Sequence, residues 1–338
     1  MIWDSFPEIR RELERVQAII TEEVSRPGGV ISEGLNDLFR RDAKLLRPAF
    51  TILAGRVQTG GRAADDRLIR LAAAVEMLHV ASLIHDDSVD DSQRRRGGAA
   101  VHTRYGDRRA VLMGDFLFAR CFSLVSDYGR PETASMLSGT IGKLIESEVS
   151  EYAVFGEEEW SVRQYLHRVI GKTAVLFSLS FHIGASESCG EGCDPRSVEI
   201  LRRIGYNIGI GFQIIDDVLD IFGDARATGK PSGTDLKQGV VTLPVILAAN
   251  NGQRPRLVRT LEKIARRSGG GNGIVRFWEH KALEEMRTRI EGAGGRAGAL
   301  AAAEVYTRRA HRELDRLPAG EDRRILRTVT THLLSRAS

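Results

Sequence analysis

Leu83-Ile84-His85-Asp86-Asp87-Ser88-Val89-Asp90-Asp91 sets four carboxylates within six residues at the end of an apolar run. Two unit charges about 4 Å apart repel by roughly 1 kcal/mol in water and by about 4 kcal/mol at an effective dielectric of 20, so crowding of this kind needs a reason. A bound cation supplies one. All-oxygen ligands point to Mg2+, which keeps several waters and is completed by substrate phosphates more often than by a closed protein cage. If the run from Leu71 to His85 is helical, the cluster sits at a C-terminal end, where the macrodipole disfavours carboxylates and local folding energetics do not select them. Asp86 and Asp90 then lie four apart on one face, with Asp87 about 100° round. The competing reading is a solvated acidic turn paired with Arg94, Arg95 and Arg96, and for an isolated cluster the two stand about even.

Gln213-Ile214-Ile215-Asp216-Asp217-Val218-Leu219-Asp220 breaks the tie, because the same Asp-Asp-x-x-Asp pattern again follows an apolar run. If the two helices face each other across a bundle, their carboxylates form one rim able to hold several Mg2+ ions and a diphosphate. The two segments read as functionally paired rather than as repeats of one architecture.

The 338 residues, 42% hydrophobic and 28% charged, can bury a large core, which sets disorder aside. The length admits two domains, but helical folds of this size are also single, and the preferred organisation is one domain over 1–338. Lys and Arg (49) exceed Asp and Glu (45) by only 4, and no basic run is interleaved with aromatics. That argues against nucleic-acid binding, while a mild excess helps attract a polyanionic small substrate. Cys121, Cys189 and Cys193 are too few for a disulfide framework and read as thiols in a reducing cytoplasm, Cys189 and Cys193 lacking the second pair of a zinc site. Met1-Ile2-Trp3-Asp4-Ser5-Phe6-Pro7-Glu8 has no basic-then-apolar export pattern, and the charge-poor run Thr173 to Ser186 is too short and polar for a membrane span, so the expectation is a cytoplasmic protein without a transmembrane segment.

Ile9, Leu13, Val16, Ile19 and Ile20 recur at three- and four-residue steps, which predicts an amphipathic helix from Ser5 to Val24, broken at Pro27-Gly28-Gly29. The period returns from Leu35 to Gly55, stops at Thr59-Gly60-Gly61, and runs from Asp66 into the first Asp cluster; Gly97-Gly98 closes that segment. Further helices are expected over about 107–127, 131–155, 160–184, 195–222 and 240–249, with more beginning near 255, 273, 297 and 320. No strand alternation intervenes, so the class is all-α.

A second phosphate site needs cations without a metal. Lys44-Leu45-Leu46-Arg47-Pro48 offers Lys and Arg three apart, the Arg able to donate bidentately and the Lys acting as a point charge. His79 lies two turns before Asp86 on nearly the same face, against the simpler reading of a satisfied core histidine; His85 reads as structural. Arg95 and Arg96 follow the first cluster closely enough to reach bound phosphate. Lys172-Thr173-Ala174 puts a cation and a hydroxyl in an apolar helix, where a charged Lys needs an anionic partner. Gln213 is one turn before Asp217, and Lys230 falls in the loop after the second cluster. Taken singly, each of these is more often an ordinary surface or helix residue.

Assembled, they make the chain resemble the trans-type polyprenyl diphosphate synthases, and among them the medium- and long-chain, heptaprenyl-type enzymes. The resemblance runs from Lys44-Leu45-Leu46-Arg47-Pro48 through Glu76-Met77-Leu78-His79, the first Asp motif with Arg95-Arg96-Gly97, Gly114-Asp115, Lys172-Thr173-Ala174, Phe212-Gln213 with the second Asp motif, and Asp235-Leu236 to Thr242-Leu243-Pro244. It implies the isoprenoid synthase fold, a single-domain bundle of roughly ten to thirteen helices around a central apolar cavity. It also implies a prenyltransferase that condenses isopentenyl diphosphate with an allylic diphosphate, with Mg2+ as cofactor. A homodimer is implied, with a small-subunit heterodimer as the other possibility.

By the same resemblance Asp86, Asp90 and Asp216 ligate Mg2+, Asp87 is close to that cluster, and Asp217 and Asp220 support it. Arg95, Lys172, Thr173, Gln213 and Lys230 hold the allylic diphosphate; Lys44, Arg47, His79 and Arg96 hold isopentenyl diphosphate. The catalytic set is Asp86, Asp87, Asp90, Asp216 and Lys172. The physics agrees: metal and cations stabilise the departing diphosphate, the isopentenyl double bond attacks the allylic cation, and an apolar interior keeps out water that would quench it.

Three positions depart from the family pattern. Asp42-Ala43 stands where Gly-Gly is usual, Ser88 replaces an apolar residue, and Val240 occupies a place where many members carry a phosphate-binding Lys. One and two turns before Asp86 lie Ser82, Ala81 and Leu78, with Val75 deeper. Small residues at 81 and 82 leave no floor under the starter pocket, so products on the order of thirty to forty carbons are expected, with Phe116, Phe118 and Phe122 as candidates for a deeper floor. The rival readings are a geranylgeranyl- or farnesyl-length synthase, a class I terpene cyclase, against which the second Asp motif argues, and a subunit that needs a small partner.

Overall fold

The computed structural model describes residues 2–41, 43–152, 160–189, 192, 194–223, 233–265 and 273–336. Among them are fourteen helices, twelve of seven residues or more, so the all-α expectation holds. In chain order they are α1 Pro7–Ser25, α2 Gly29–Arg40, α3 Leu46–Gln58, α4 Asp66–Val89, α5 Val101–Tyr105, α6 Asp107–Tyr128, α7 Pro131–Tyr152, α8 Val162–Glu187, α9 Pro195–Phe222, α10 Thr234–Lys237, α11 beginning at Leu243–Ala248 and continuing through Arg254–Ala265, α12 Gly273–Gly292, α13 Gly295–Asp315 and α14 Glu321–Leu334.

Two local differences from the sequence reading matter. The run from Leu35 to Gly55, expected as one helix, is split between α2 and α3. Pro48 has no N–H to donate and is tolerated only in a first turn, so a helix must start just before it; Leu45, at φ 46, turns the chain there. The segment closed by Gly97-Gly98 is a small antiparallel hairpin, β1 Arg94–Arg95 with β2 Gly98–Ala99. Two-residue strands carry no readable alternation.

The described chain divides into two compact units. The first comprises 1–142, 176–206 and 311–329. In it α4 packs most extensively on α6, and also on α3 and α1. Phe50 stacks on Phe181 at 4.9 Å and tilts against Phe177 at 5.8 Å. Buried Arg56 of α3 bonds Asp322 of α14 at 2.7 Å and Glu8 of α1 at 2.8 Å, so the C-terminal helix is tied to the start of the chain. The second unit comprises 143–175, 207–310 and 330–338, with a core of Ile221, Leu236, Val245, Leu257, Met286 and Ile290.

By length and composition α4 and α8 could each cross a membrane, but 72% of each apolar window is buried inside the protein, as in core helices. Cys121 is free and buried, whereas Cys189 is disulfide-bonded, which corrects the expectation of a loop thiol there. Cys193 lies outside the described residues.

Candidate functional site

In the first unit, α4 is started by the Asp65 carboxylate, which accepts from Leu68 N at 2.8 Å. It is buried almost all round from Leu71 to Ala81, so its end is rigidly held. Asp86 and Asp90 share a face there, both half-buried, with Asp90 N bonded to Asp86 O at 2.8 Å. Asp87 is buried and accepts from Arg95 Nε at 2.9 and 3.0 Å on its two oxygens, and from Arg95 Nη2. Burial works against the Arg95 charge, but Asp87, then Asp86 and Asp90, outweigh it and raise the pKa. The carboxylate expected beside the metal and the cation expected on the diphosphate therefore hold each other. The His85 Nε2 lies 3.2 Å from Val111 O and 3.4 Å from Asp115 Oδ1, and its ring packs on Phe118.

Behind the hairpin, Arg47, His79 and Arg96 come together from three separate stretches. Buried Glu76 accepts from Arg96 Nη2 at 3.1 Å and is the acid nearest in charge to Arg47. One carboxylate faces two guanidinium groups, and the His79 imidazole faces the charges of Arg47, Arg96 and Arg95. Burial first, then Arg96, lowers the Arg47 pKa to about 10; burial, then Arg47, Arg96 and Arg95, push His79 well below its ordinary value, so its ring is neutral at physiological pH. Arg47 Nε, His79 Nδ1 and Arg96 Nη1 are buried without a hydrogen-bond partner. Arg47 also lies 4.7 Å above the Phe177 ring. Lys44, expected in this group, has an exposed side chain, and its carbonyl accepts from Trp3 Nε1 at 2.6 Å.

In the second unit, α9 carries the second motif. Asp216 is half-buried; Asp217 is buried and fully bonded, accepting from Tyr165 Oη at 2.6 Å and Gln213 Nε2 at 2.8 Å. Gln213 in turn accepts from Thr173 Oγ1 at 2.7 Å, which fixes its amide. Burial raises the Asp217 pKa to about 7 despite those two donors. Asp220 accepts from the backbone N–H of Thr234 and Asp235, both at 3.2 Å, and so caps α10. Lys172 pairs with Glu148 at 2.8 Å. Its helix takes a π turn over Ile170–Ala174, a device frequent at functional sites. The close approach is set by glycines: a Cβ on Gly209 would sit 2.6 Å from Ala174 Cα, and one on Gly171 would collide with Ser147.

Sequence reasoning quoted Glu76 without giving it a role and missed Glu148 and Tyr165; each of the three contacts a residue it did single out. It also missed Arg336, whose guanidinium lies 4.6 Å over the Phe212 ring, with Nη2 buried and unpartnered; burial lowers its pKa and the Asp216 charge opposes that. No local motif marks Arg336, more than a hundred positions from Asp216. Lys230 and Asp42 lie outside the described residues. Val240 is half-buried, its N–H bonded to Asp235 O at 2.8 Å. Along α4, Val75, Leu78 and Ala81 are fully buried, and Ser82 Oγ donates to His79 O at 2.8 Å. Phe116 and Phe118 are half-buried, but Phe122 is 41% exposed and does not face the interior of its unit.

Residues 29–271 match the polyprenyl synthetase family. The chain is 31% identical over 330 residues to heptaprenyl diphosphate synthase component 2 of Bacillus subtilis, covering 98% of this chain and 87% of that protein. It is 32% identical over 329 residues to nonaprenyl diphosphate synthase of Mycobacterium tuberculosis, covering 97% and 93%. A polyprenyl synthase from Caulobacter crescentus, crystallised with calcium and isoprenyl diphosphate, superposes with a TM-score of 0.86 at 32% identity, covering 97% of this chain and 96% of that one.

Proposed function

This chain belongs to the polyprenyl synthetase family and is a trans-polyprenyl diphosphate synthase, a prenyltransferase, and we propose that with Mg2+ it makes all-trans products on the order of thirty to forty carbons from isopentenyl diphosphate and an allylic starter. The observation that carries the substrate assignment is the group of buried, unpartnered donors on Arg47, His79 and Arg96. Buried donors left without acceptors are costly, on the order of 1 to 3 kcal/mol each and more for the charged guanidiniums, and an incoming diphosphate supplies the missing oxygens.

The donor set suits magnesium. Asp86, Asp90 and Asp216 are half-buried carboxylates that offer hard oxygens; Asp87 bonds Arg95, Asp217 bonds Tyr165 and Gln213, and Asp220 bonds the α10 backbone. Among the described residues no three His, Cys, Asp or Glu side chains lie close enough to hold a metal alone; magnesium commonly keeps waters and is completed by substrate phosphate. We propose Asp86 and Asp90 of the first unit, and Asp216 of the second, as magnesium ligands; magnesium when bound supplies positive charge to the departing diphosphate. Lys172, placed by Glu148 and the π turn, with Thr173 and Gln213, orients the allylic diphosphate. Arg47, His79 and Arg96 hold isopentenyl diphosphate. As the allylic C–O bond breaks, the isopentenyl double bond forms the new C–C bond, and the proton lost from the adjacent carbon passes to the released diphosphate. The buried face of α4 below Asp86 excludes water.

Product length is assigned from Ala81 and Ser82 on α4. Incubation with isopentenyl diphosphate, each common allylic starter and Mg2+, followed by sizing of the dephosphorylated products, should give chains of about six to eight isoprene units, and Ala81→Phe should shorten them sharply. An unchanged distribution in the variant contradicts this length control. We read the active form as a homodimer in the cytoplasm. The name of the Bacillus relative, a second component, supports the alternative of a small partner; turnover by the purified chain alone decides against it.

A further inference from the structure

We infer that Arg41, at the end of α2, is a positioning residue that sets the aim of Arg95 and Arg96 by clamping the backbone of the hairpin that carries them; the inference rests on the proposed phosphate pocket. The hairpin has two strands of two residues, too short to hold a shape unaided. Its turn is Arg96-Gly97, with φ of 48° and 74°, so a residue with a side chain occupies the left-handed region where glycine or asparagine is usual. Something outside the hairpin has to hold it.

Arg95 and Arg96 are tied through their side chains to Asp87 and Glu76, the contacts that a bound diphosphate would compete with. Arg41 grips the main chain instead. Its Nη1 donates to Arg95 O at 3.0 Å and to Ala99 O at 2.8 Å, one carbonyl from each strand. Its Nη2 donates to Asp37 Oδ2 at 2.6 Å, which fixes the guanidinium from the helix side. The plane lies directly against Gly98: a Cβ there would be 2.5 Å from Arg41 Cζ and 2.6 Å from Nη1. With these donors engaged, Arg41 is placed to orient rather than to bind. The Arg95 carbonyl belongs to the peptide group that leads into Arg96, so the clamp fixes the rotation from which the Arg96 side chain departs.

Steady-state kinetics on Arg41→Ala should show KM for isopentenyl diphosphate raised about tenfold with kcat within about twofold, the size expected for losing hydrogen bonds to a charged donor. Arg41→Lys should recover only part of this, because an ammonium cannot reproduce the planar fork. Gly98→Ala keeps Arg41 and removes only its seat, so it should reproduce the KM defect even where Arg41→Ala does not fold. A wild-type KM in Gly98→Ala and in folded Arg41→Ala, beside a raised KM in Arg96→Met, overturns the clamp and leaves the pocket standing. A wild-type KM in Arg96→Met overturns the pocket and the clamp with it. An equal fall of kcat and melting temperature without a change in KM would make Arg41 merely structural and also overturn the inference.

Discussion

The Arg47–His79–Arg96 pocket and the Asp217 knot are opposite solutions to burying charge. In the pocket, donors outnumber acceptors and three buried nitrogens have no partner. Around Asp217, one buried carboxylate is met by Tyr165 and by Gln213, itself held by Thr173. Native folds rarely keep buried donors unmatched; under the function proposed above, the first region takes an arriving anion, whereas the second is already bonded and supports its neighbour Asp216. On that proposal the contrast separates residues that would touch substrate or metal from residues that hold those residues in place, a division that two identical Asp-Asp-x-x-Asp strings do not display.

The sharpest way to break this division is to compare carboxylates. Asp86→Ala should lower kcat by about a thousandfold, the loss typical of removing a group that stabilises developing charge. Asp217→Asn, by altering a support, should cost about ten- to a hundredfold. If the two variants fall equally far in a product-release assay, the division between ligands and supports fails.

The smaller effect is on stability. Burial raises the Asp217 carboxyl from 3.8 to about 7 in the fold, so between those values the folded chain keeps a proton that the unfolded chain has released. The stability from this group is therefore full below pH 3.8, is lost as pH rises through about 7, and is level above it. In metal-free buffer, melting temperature followed across that window should decline by a few degrees in the wild type. Asp217→Asn should flatten the decline; an unchanged slope would mean that Asp217 is not the titrating group.

Most of the helices were legible because apolar residues at steps of three and four, cut by Gly and Pro, specify both period and ends: α1, α4, α6 and α9 lie close to where spacing puts them. The site was legible as residue types, since Asp pairs after apolar runs and isolated cations are unusual enough to notice. What was not legible is contact. Nothing in Tyr165 or Glu148 announces a partner fifty-two or twenty-four positions away, and nothing local marks the π turn at Lys172, where Gly171 and Gly209 allow close approach. The hairpin escaped for the same reason, since its two short paired strands are also held by Arg41 and by side chains of α4.

The most direct test is calorimetric titration of isopentenyl diphosphate into the whole protein in the presence of EDTA. A pocket of cationic and neutral donors needs no metal, so the wild type should bind and Arg47→Met should lose about a hundredfold in affinity while remaining folded. Binding that appears only when Mg2+ is restored, or that survives unchanged in Arg47→Met, would contradict the account.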